Sequence, residues 1–262
     1  MIHLIHAGNR HLYAAQLAEM HRQRCEHFIG ERGWALNAID GGEYDEYDDA
    51  EAAYLVGFSA EGEVAVSVRF RPTEQTSLIA DVFPHLISPT EQPVKGPAMY
   101  EATRYCAAKP FRGERGFTQR SKLHLAMLEA MVDRAAARLI GFMDVEFIPY
   151  FRRFSGLSLR PLGMPAPYDQ GTTLAFELGV RPEDVAGARA ALRIGHRQLF
   201  EAPTWLPAQA DPIILAQATE ILINAAPNDK REVVDAMRAQ SARLRLVEDI
   251  PGVIADLARR AA

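Results

Sequence analysis

From its first residues the chain alternates apolar and polar positions over "MIHLIHA", the period of a short half-buried strand. It then places Leu12, Leu17, Met20 and Phe28 at helical spacing through "NRHLYAAQLAEMHRQRCEHF". An acid-rich stretch, "GGEYDEYDDAEAAYL", runs into "AAYLVGFS" and "GEVAVSVRFRPT", two β-rich runs that "AEGE" joins as a hairpin, closed by Pro72 and Thr73. "SLIADVFPHLI" is an apolar connector, and "AMYEATRYCAA" is a strand with polar residues set between apolar ones. The basic loop "FRGERGFTQRSK" opens directly into "LHLAMLEAMVDRAAA", whose composition and period are strongly helical. "RLIGFMDV" has the pattern of a buried strand, "EFIPYFRRFSG" is a short helix with Pro149 near its start, and "TTLAFELGV" is a last strand. From Arg181 the pattern becomes Ala, Leu and Arg at helical spacing, interrupted by "APTWLPAQADP" and "APNDKRE".

This order predicts an α/β core over residues 1–180 and a helical C-terminal extension over 181–262. Composition fits an ordinary globular chain of 262 residues, 48% hydrophobic and 24% charged. A formal net charge of -5 argues against nucleic acid as a main partner, since phosphate binding needs a basic surface. Cys25 and Cys106 stand far apart without CxxC spacing, so neither a disulfide framework nor a thiolate zinc site is indicated, and a cytoplasmic location is expected. The N-terminus lacks a secretory pattern, and no run approaches the ~20 apolar residues that span a bilayer, so no membrane partner is expected.

Several chemistries fail on spacing. Asp45, Asp48 and Asp49 lack the alternation, central glycine and terminal glutamate of a calcium loop. No HExxH is present, and His21 and His27 fall on different helix faces, so no metal is expected. There is no GxSxG elbow, no Walker loop and no dinucleotide fingerprint. "FRGERGF" fits either a plain basic turn or a loop that presents N–H groups and guanidinium forks to a phosphate or pantetheine arm. Charges inside structured segments are more informative: Arg24 in the first helix, Arg69 in a strand, Glu101 and Arg104 in another. Buried charges need partners, and Asp45 and Asp48 are available. The set fits a structural ion-pair network, a polar cavity for a charged small molecule, or both; Glu43, Glu46 and Asp49 read as solvated neighbours.

The ordered series Arg24, Phe28, Trp34, Asp45, Asp48, Arg69, Glu101 and Arg104, within "RCEHFIGERGW", "EYDEYDDAEAAYLV", "VRFRPT" and "YEATRY", resembles the LuxI-type acyl-homoserine-lactone synthases. The likeness weakens after "TTLAFELGV" and leaves the C-terminal extension unexplained. Tyr100 stands where the family often has tryptophan.

The resemblance implies a GNAT-like acyltransferase fold, a twisted mixed sheet with flanking helices and a cleft where central strands splay. It implies S-adenosylmethionine as a substrate, an acyl thioester of acyl carrier protein or coenzyme A as donor, and an N-acyl-homoserine lactone and methylthioadenosine as products, with no cofactor. On this reading Glu101 is the base that frees the α-amine. Arg24, Phe28 and Trp34 form a lid, with Asp45, Asp48, Arg69 and Arg104 in the surrounding charge network. Tyr100, Phe142 and Met143 line the acyl pocket. Arg112, Arg115, Arg120, Lys122, Arg152 and Arg153 form a docking patch for an acidic carrier protein. The alternatives are an N-acyltransferase of the same fold acting on another amine, and a catalytically silent homologue whose C-terminal helices serve as an interaction module. Oligomeric state is left open.

Overall fold

The computed structural model describes residues 1–225 except 92, 156, 158 and 170, and beyond them only 229, 230, 252, 256, 258 and 259. The chain runs β1 (Ile2–Ile5), α1 (Ala14–Arg24) with a π-helical continuation (Cys25–Glu31), and a two-strand ribbon of β2 (Ala38–Ile39) and β3 (Gly42–Glu43). It continues with β4 (Ala53–Phe58), β5 (Val64–Pro72), α2 (Leu78–Asp81), β6 (Met99–Ala107), α3 (Phe117–Asp133), β7 (Arg138–Asp144) and α4 (Ile148–Ser155). Last come β8 (Arg160–Pro161), β9 (Ala166–Tyr168), β10 (Gly171–Leu178), α5 (Pro182–Leu192), β11 (Leu199–Phe200) and α6 (Pro212–Asn224). The main sheet has the order β11-β1-β4-β5-β6-β7-β10-β8, with β9 also on β10. Its pairs are antiparallel except β1 with β11 and β6 with β7.

The two faces of the sheet differ in chemistry. Against α3 the face is continuously apolar, with Leu4, Leu55, Val68, Phe70 and Leu139 packed on Leu123, Met127 and Met131. The opposite face is apolar only at its ends. At one end Tyr13, Met20 and Leu215 pack on Ile5, Val56 and Phe58; at the other, Ile79, Leu86 and Val94 pack on Met99, Ile140 and Ala175. Between these clusters lie Arg69, Glu101 and Arg104, each carried inward by a central strand.

Two irregularities of β6 shape this middle region. Arg69 pairs with Thr103 and Ser67 with Cys106, so Val68 faces two residues, Arg104 and Tyr105, in a β-bulge. Within the bulge Arg104 takes a left-handed backbone, with φ +55. Thr103 and Arg104 thereby share the ionic face, while Tyr105 goes to the α3 side and stacks on His124 at 5.6 Å. The ladder between β6 and β7 also stops at Ala102 and Gly141, although β6 runs on to Ala107 and β7 to Asp144. Beyond that point the two strands run on unpaired with each other.

The segment after residue 180 is more than a helical appendage. Leu199 and Phe200 add a strand beside Ile2 and His3, and α6 supplies Ile213, Leu215, Ala216 and Leu222 to the same core as α1. Buried Glu129 of α3 holds this segment: it accepts hydrogen bonds from the N–H groups of Gln198 at 2.9 Å and Leu199 at 2.8 Å, and from Arg189 at 2.7 Å. The helices expected after residue 225 lie outside the described residues. Among the described residues no helix is long and apolar enough to cross a membrane.

Candidate active site

The sequence-predicted charges converge. Arg24 donates from Nε to Glu43 at 2.6 Å and forms a two-pronged pair with Asp48 at 2.8 Å on each prong. Arg69 donates to Thr103 Oγ1 at 3.0 Å, grips Asp45 with both terminal nitrogens, and lies 3.0 Å from Asp48. Arg104 reaches Glu43 at 2.9 Å and Asp45 at 2.8 Å. Tyr54 adds a hydroxyl donor to Asp48 at 2.9 Å. Burial works against charge on Asp48, but Arg24 and Arg69 outweigh it and hold this carboxyl well below the usual range. Burial likewise opposes the charge on Arg24 and Arg69, and their carboxylate partners raise both. The result is three guanidinium groups against three carboxylates, fixed by bidentate hydrogen bonds and balanced in charge.

Glu43 was expected to be a solvated neighbour and is instead fully buried, the carboxylate shared by Arg24 and Arg104. Asp49 is part-exposed but engaged, accepting from Arg71 and from the N–H groups of Glu51 and Ala52. Glu46 is exposed as expected. The charge count held no signal for Glu43, since Asp45, Asp48 and Glu101 already balance the three arginines. In the structure Glu101 spends its hydrogen bonds on Ser77, Leu78 and Ile79, and Glu43 takes the third carboxylate place beside Arg24 and Arg104.

Glu101, 3% exposed, accepts from the Ser77 hydroxyl at 2.7 Å and from the N–H groups of Leu78 at 3.0 Å and Ile79 at 2.8 Å. Burial raises its pKa, against the lowering effect of those three donors and of Arg69. An ionised carboxylate offers about four acceptor positions, so roughly one is left for a further donor.

Phe28 and Trp34 form a parallel stack at 5.2 Å, with the Arg104 guanidinium 5.6 Å over Phe28. The stack continues through residues the sequence did not single out: Tyr168 meets Trp34 at 5.8 Å and Phe83 at 5.2 Å, and Phe83 meets Phe142 at 5.1 Å. These rings come from four separate segments, so no local spacing links them.

The expected acyl pocket is divided. Phe142 packs with Phe83 and Ile140 on the ionic face, while Met143 packs with the α3 cluster, because neighbours on a strand point to opposite faces. Tyr100 shares the α3 face with Met143 and lines a cavity of about 220 Å³ with Phe70, Ala130 and Met131. A larger groove of about 690 Å³ runs between α1 and the loop after β6, past Arg22, Glu26, Lys109 and Arg112, away from Glu101. The six expected docking cations do not make one free patch. Arg112 pairs with Glu31, Arg153 with Glu114, Lys122 with Glu220 of α6, and Arg120 donates to the Gly113 carbonyl. Arg115 and Arg152 are exposed. The loop carrying Arg112 and Arg115 is pinned by Gly116, where a Cβ would fall 1.5 Å from the Phe111 carbonyl oxygen.

A bulged central strand, a parallel neighbour whose pairing with it stops midway, and helices on both faces define a GNAT-like acyltransferase fold. The sequence model of the autoinducer synthase family matches residues 9–186, and the chain belongs to that family, the acyl-homoserine-lactone synthases. The isovaleryl-homoserine lactone synthase of Bradyrhizobium diazoefficiens is 34% identical over 182 residues, which is 69% of this chain and 80% of that one. An acyl-homoserine-lactone synthase of Pseudomonas aeruginosa is 28% identical over 179 residues, 67% of this chain and 85% of its own. Among solved structures, BjaI, a CoA-dependent acyl-homoserine lactone synthase with SAM and isopentyl-CoA, is similar with a TM-score of 0.69 and 28% identity. That match covers 83% of this chain and 98% of BjaI. TofI, in a ternary complex with an inhibitor and MTA, gives a TM-score of 0.61 at 26% identity, covering 74% of this chain and 96% of TofI.

Proposed function

We propose that the protein transfers an acyl group from a coenzyme A thioester to the α-amine of S-adenosylmethionine and then closes the lactone, releasing methylthioadenosine. The observation that carries this reading is that Glu101, Arg104 and the Phe28–Trp34 stack share one sheet face, on the strand where β6 leaves β7.

The acceptor amine must be neutral to attack, and an α-amino group has a pKa of about 8, so one proton has to leave. Glu101 takes it, directly or through one water, with its remaining acceptor position; the Leu78 and Ile79 N–H groups and Ser77 hold the carboxylate in place meanwhile. Nitrogen bonds to the thioester carbon, and the sulfur leaves as thiol. Backbone N–H groups on β6 past Ala102, no longer paired to β7, are suited to the tetrahedral oxyanion. In the second step the acceptor's carboxylate oxygen bonds to the carbon next to the sulfonium. The C–S bond breaks, and its electrons neutralise the sulfur. This step is intramolecular, so positioning is the protein's main contribution. The balanced ion network supplies rigidity there, tying α1, the ribbon and β5–β6 into one unit.

Coenzyme A is favoured over a carrier protein because four of the six cations expected to dock an acidic carrier already have partners within the chain. The uncapped N-terminus of α3, behind the Gly116 loop, suits the donor's phosphates. The test is mass spectrometry of purified protein given S-adenosylmethionine with matched acyl-CoA and acyl-carrier donors. Methylthioadenosine and one lactone series from acyl-CoA are expected. No methylthioadenosine with any donor defeats the reading, and turnover with carrier donors alone reverses the choice of donor.

A further inference from the structure

A second, smaller charge cluster lies beside the buried network and is not balanced. The Arg32 guanidinium sits 4.9 Å over the Trp34 ring, 2.9 Å from Asp144 and 3.8 Å from Asp169. Trp34 itself donates from Nε1 to Asp169 at 2.9 Å. Among the described residues one cation therefore faces two carboxylates, against three and three in the network. Asp45 and Asp48, the aspartates of that network, are consumed by arginines. The surplus negative charge on the aromatic side of the site belongs to Asp144 and Asp169.

Arg32 is also the least committed of the site's guanidinium groups. Its side chain is 24% exposed, against 1% for Arg24 and Arg69 and 9% for Arg104. Its Nε is buried without a hydrogen-bond partner among the described residues, which weakens its hold on this position. A cation over an indole face between two carboxylates is the environment that a sulfonium seeks.

We infer that the acceptor's positive sulfur rests against Trp34 between Asp144 and Asp169, and that Arg32 holds this place in the free protein and yields it on binding. The inference rests on S-adenosylmethionine being the acceptor. Asp144 stands at the end of β7, beyond its last pair with β6, and accepts from the Thr173 hydroxyl at 3.2 Å. Asp169 stands in the turn between β9 and β10. A sulfonium held there lies against the same indole that stacks on the Phe28 ring at 5.2 Å.

The test is calorimetric binding of S-adenosylmethionine and of S-adenosylhomocysteine, which lacks the methyl group and the positive sulfur, to the wild-type protein and to Asp144→Asn, Asp169→Asn and Arg32→Met, with thermal melts alongside. Both aspartate variants are expected to lower the preference for the sulfonium by about tenfold, while binding of the thioether changes by less than about threefold. Arg32→Met is expected to tighten S-adenosylmethionine binding by about fivefold, the effect of removing a competitor of about 1 kcal/mol. Equal loss of both nucleosides in the aspartate variants makes those residues mere scaffold and overturns the inference, as does weaker S-adenosylmethionine binding by Arg32→Met. Wild-type protein that binds neither nucleoside removes the acceptor reading itself.

Discussion

Arg104 donates to Glu43 at 2.9 Å from a left-handed backbone, φ +55, in the middle of a β-strand. Regular alternation after Thr103 would turn Arg104 toward α3. The bulge opposite Val68 turns it to the ionic face, where Glu43 already holds Arg24. Left-handed backbone at a non-glycine residue is unfavourable by about 1–2 kcal/mol, so the pairing has to offset that strain. Glu43→Gln leaves two buried guanidinium groups short of a carboxylate. The expected loss of stability is about 3–5 kcal/mol by urea denaturation. A loss under about 1 kcal/mol means that water reaches Glu43 and the network is not buried as described.

Glu101→Gln separates catalysis from folding. The substitution keeps an acceptor oxygen at α2 and removes the proton acceptor, so kcat is expected to fall about 10²–10⁴-fold with S-adenosylmethionine binding retained. Because burial raises the Glu101 pKa, the rate of acyl transfer in the wild type climbs with pH through a value above the ordinary glutamate range. The linkage has the same origin: a raised carboxyl binds its proton more tightly folded than unfolded, so its contribution to stability is lost as pH rises from the unfolded value to the folded one. Glu101→Gln removes that pH dependence but sets its amide NH2 against a donor that one carboxylate oxygen accepts in the wild type, so a loss of about 1–3 kcal/mol is expected by urea denaturation. A folded variant with full activity removes the base assignment.

Asp48 has the opposite sign. Its pKa is depressed by Arg24 and Arg69, so it stabilises the fold above the ordinary aspartate value of about 4 and loses that contribution as pH falls toward its lower folded value. Stability measured from pH 7 downward is expected to drop steeply below about pH 4 in the wild type, and Asp48→Asn to show a lower plateau with a shallower acid slope. Identical slopes would place the acid sensitivity elsewhere.

What the sequence discloses and what it hides divide along physical lines. β4, β5, β7 and β10 are legible because they are buried on at least one face along most of their length, so their apolar runs are long; α3 is legible because its period and composition agree. The site charges are legible because arginine inside a strand is anomalous. Glu43 is not, because its burial comes from partners 19 and 61 residues away, and a two-residue strand leaves no period to read. Phe83, Tyr168, Asp144 and Asp169 are hidden for the same reason. The bulge is hidden because "YEATRY" alternates normally; only the register against Ser67 and Arg69 reveals the extra residue. The extension looks purely helical because β11 has two residues.

Glu129 gives the extension a test of its own. Its carboxylate, 2% exposed, accepts from two N–H groups of the β11 segment and from Arg189 of α5. Glu129→Ala leaves those donors without their partner and is expected to destabilise the protein by about 3–5 kcal/mol. Hydrogen exchange should accelerate first at Gln198 and Leu199. Unchanged protection at those two amides would show that pairing with β1 alone holds the strand.

Phe142 and Met143 are neighbours on β7 but face opposite sides of the sheet, so at most one of them can measure the acyl chain. Phe142 is already engaged with Phe83 in the aromatic row that leads to Trp34, on the acceptor's side of the sheet in the proposed reaction. Met143 lies with Tyr100 over the α3 cluster, where Met127 and Met131 can repack around an alkyl chain. Met143→Ala is expected to raise kcat/KM for donors two to four carbons longer by about tenfold or more, one added methylene in an apolar pocket being worth about 1–3 kcal/mol. Phe142→Ala is expected to leave the chain-length profile unchanged and to raise KM for S-adenosylmethionine. If the two variants exchange these phenotypes, as competition between acyl-CoA donors of graded length reports, the donor and acceptor sides of the sheet have been assigned the wrong way round.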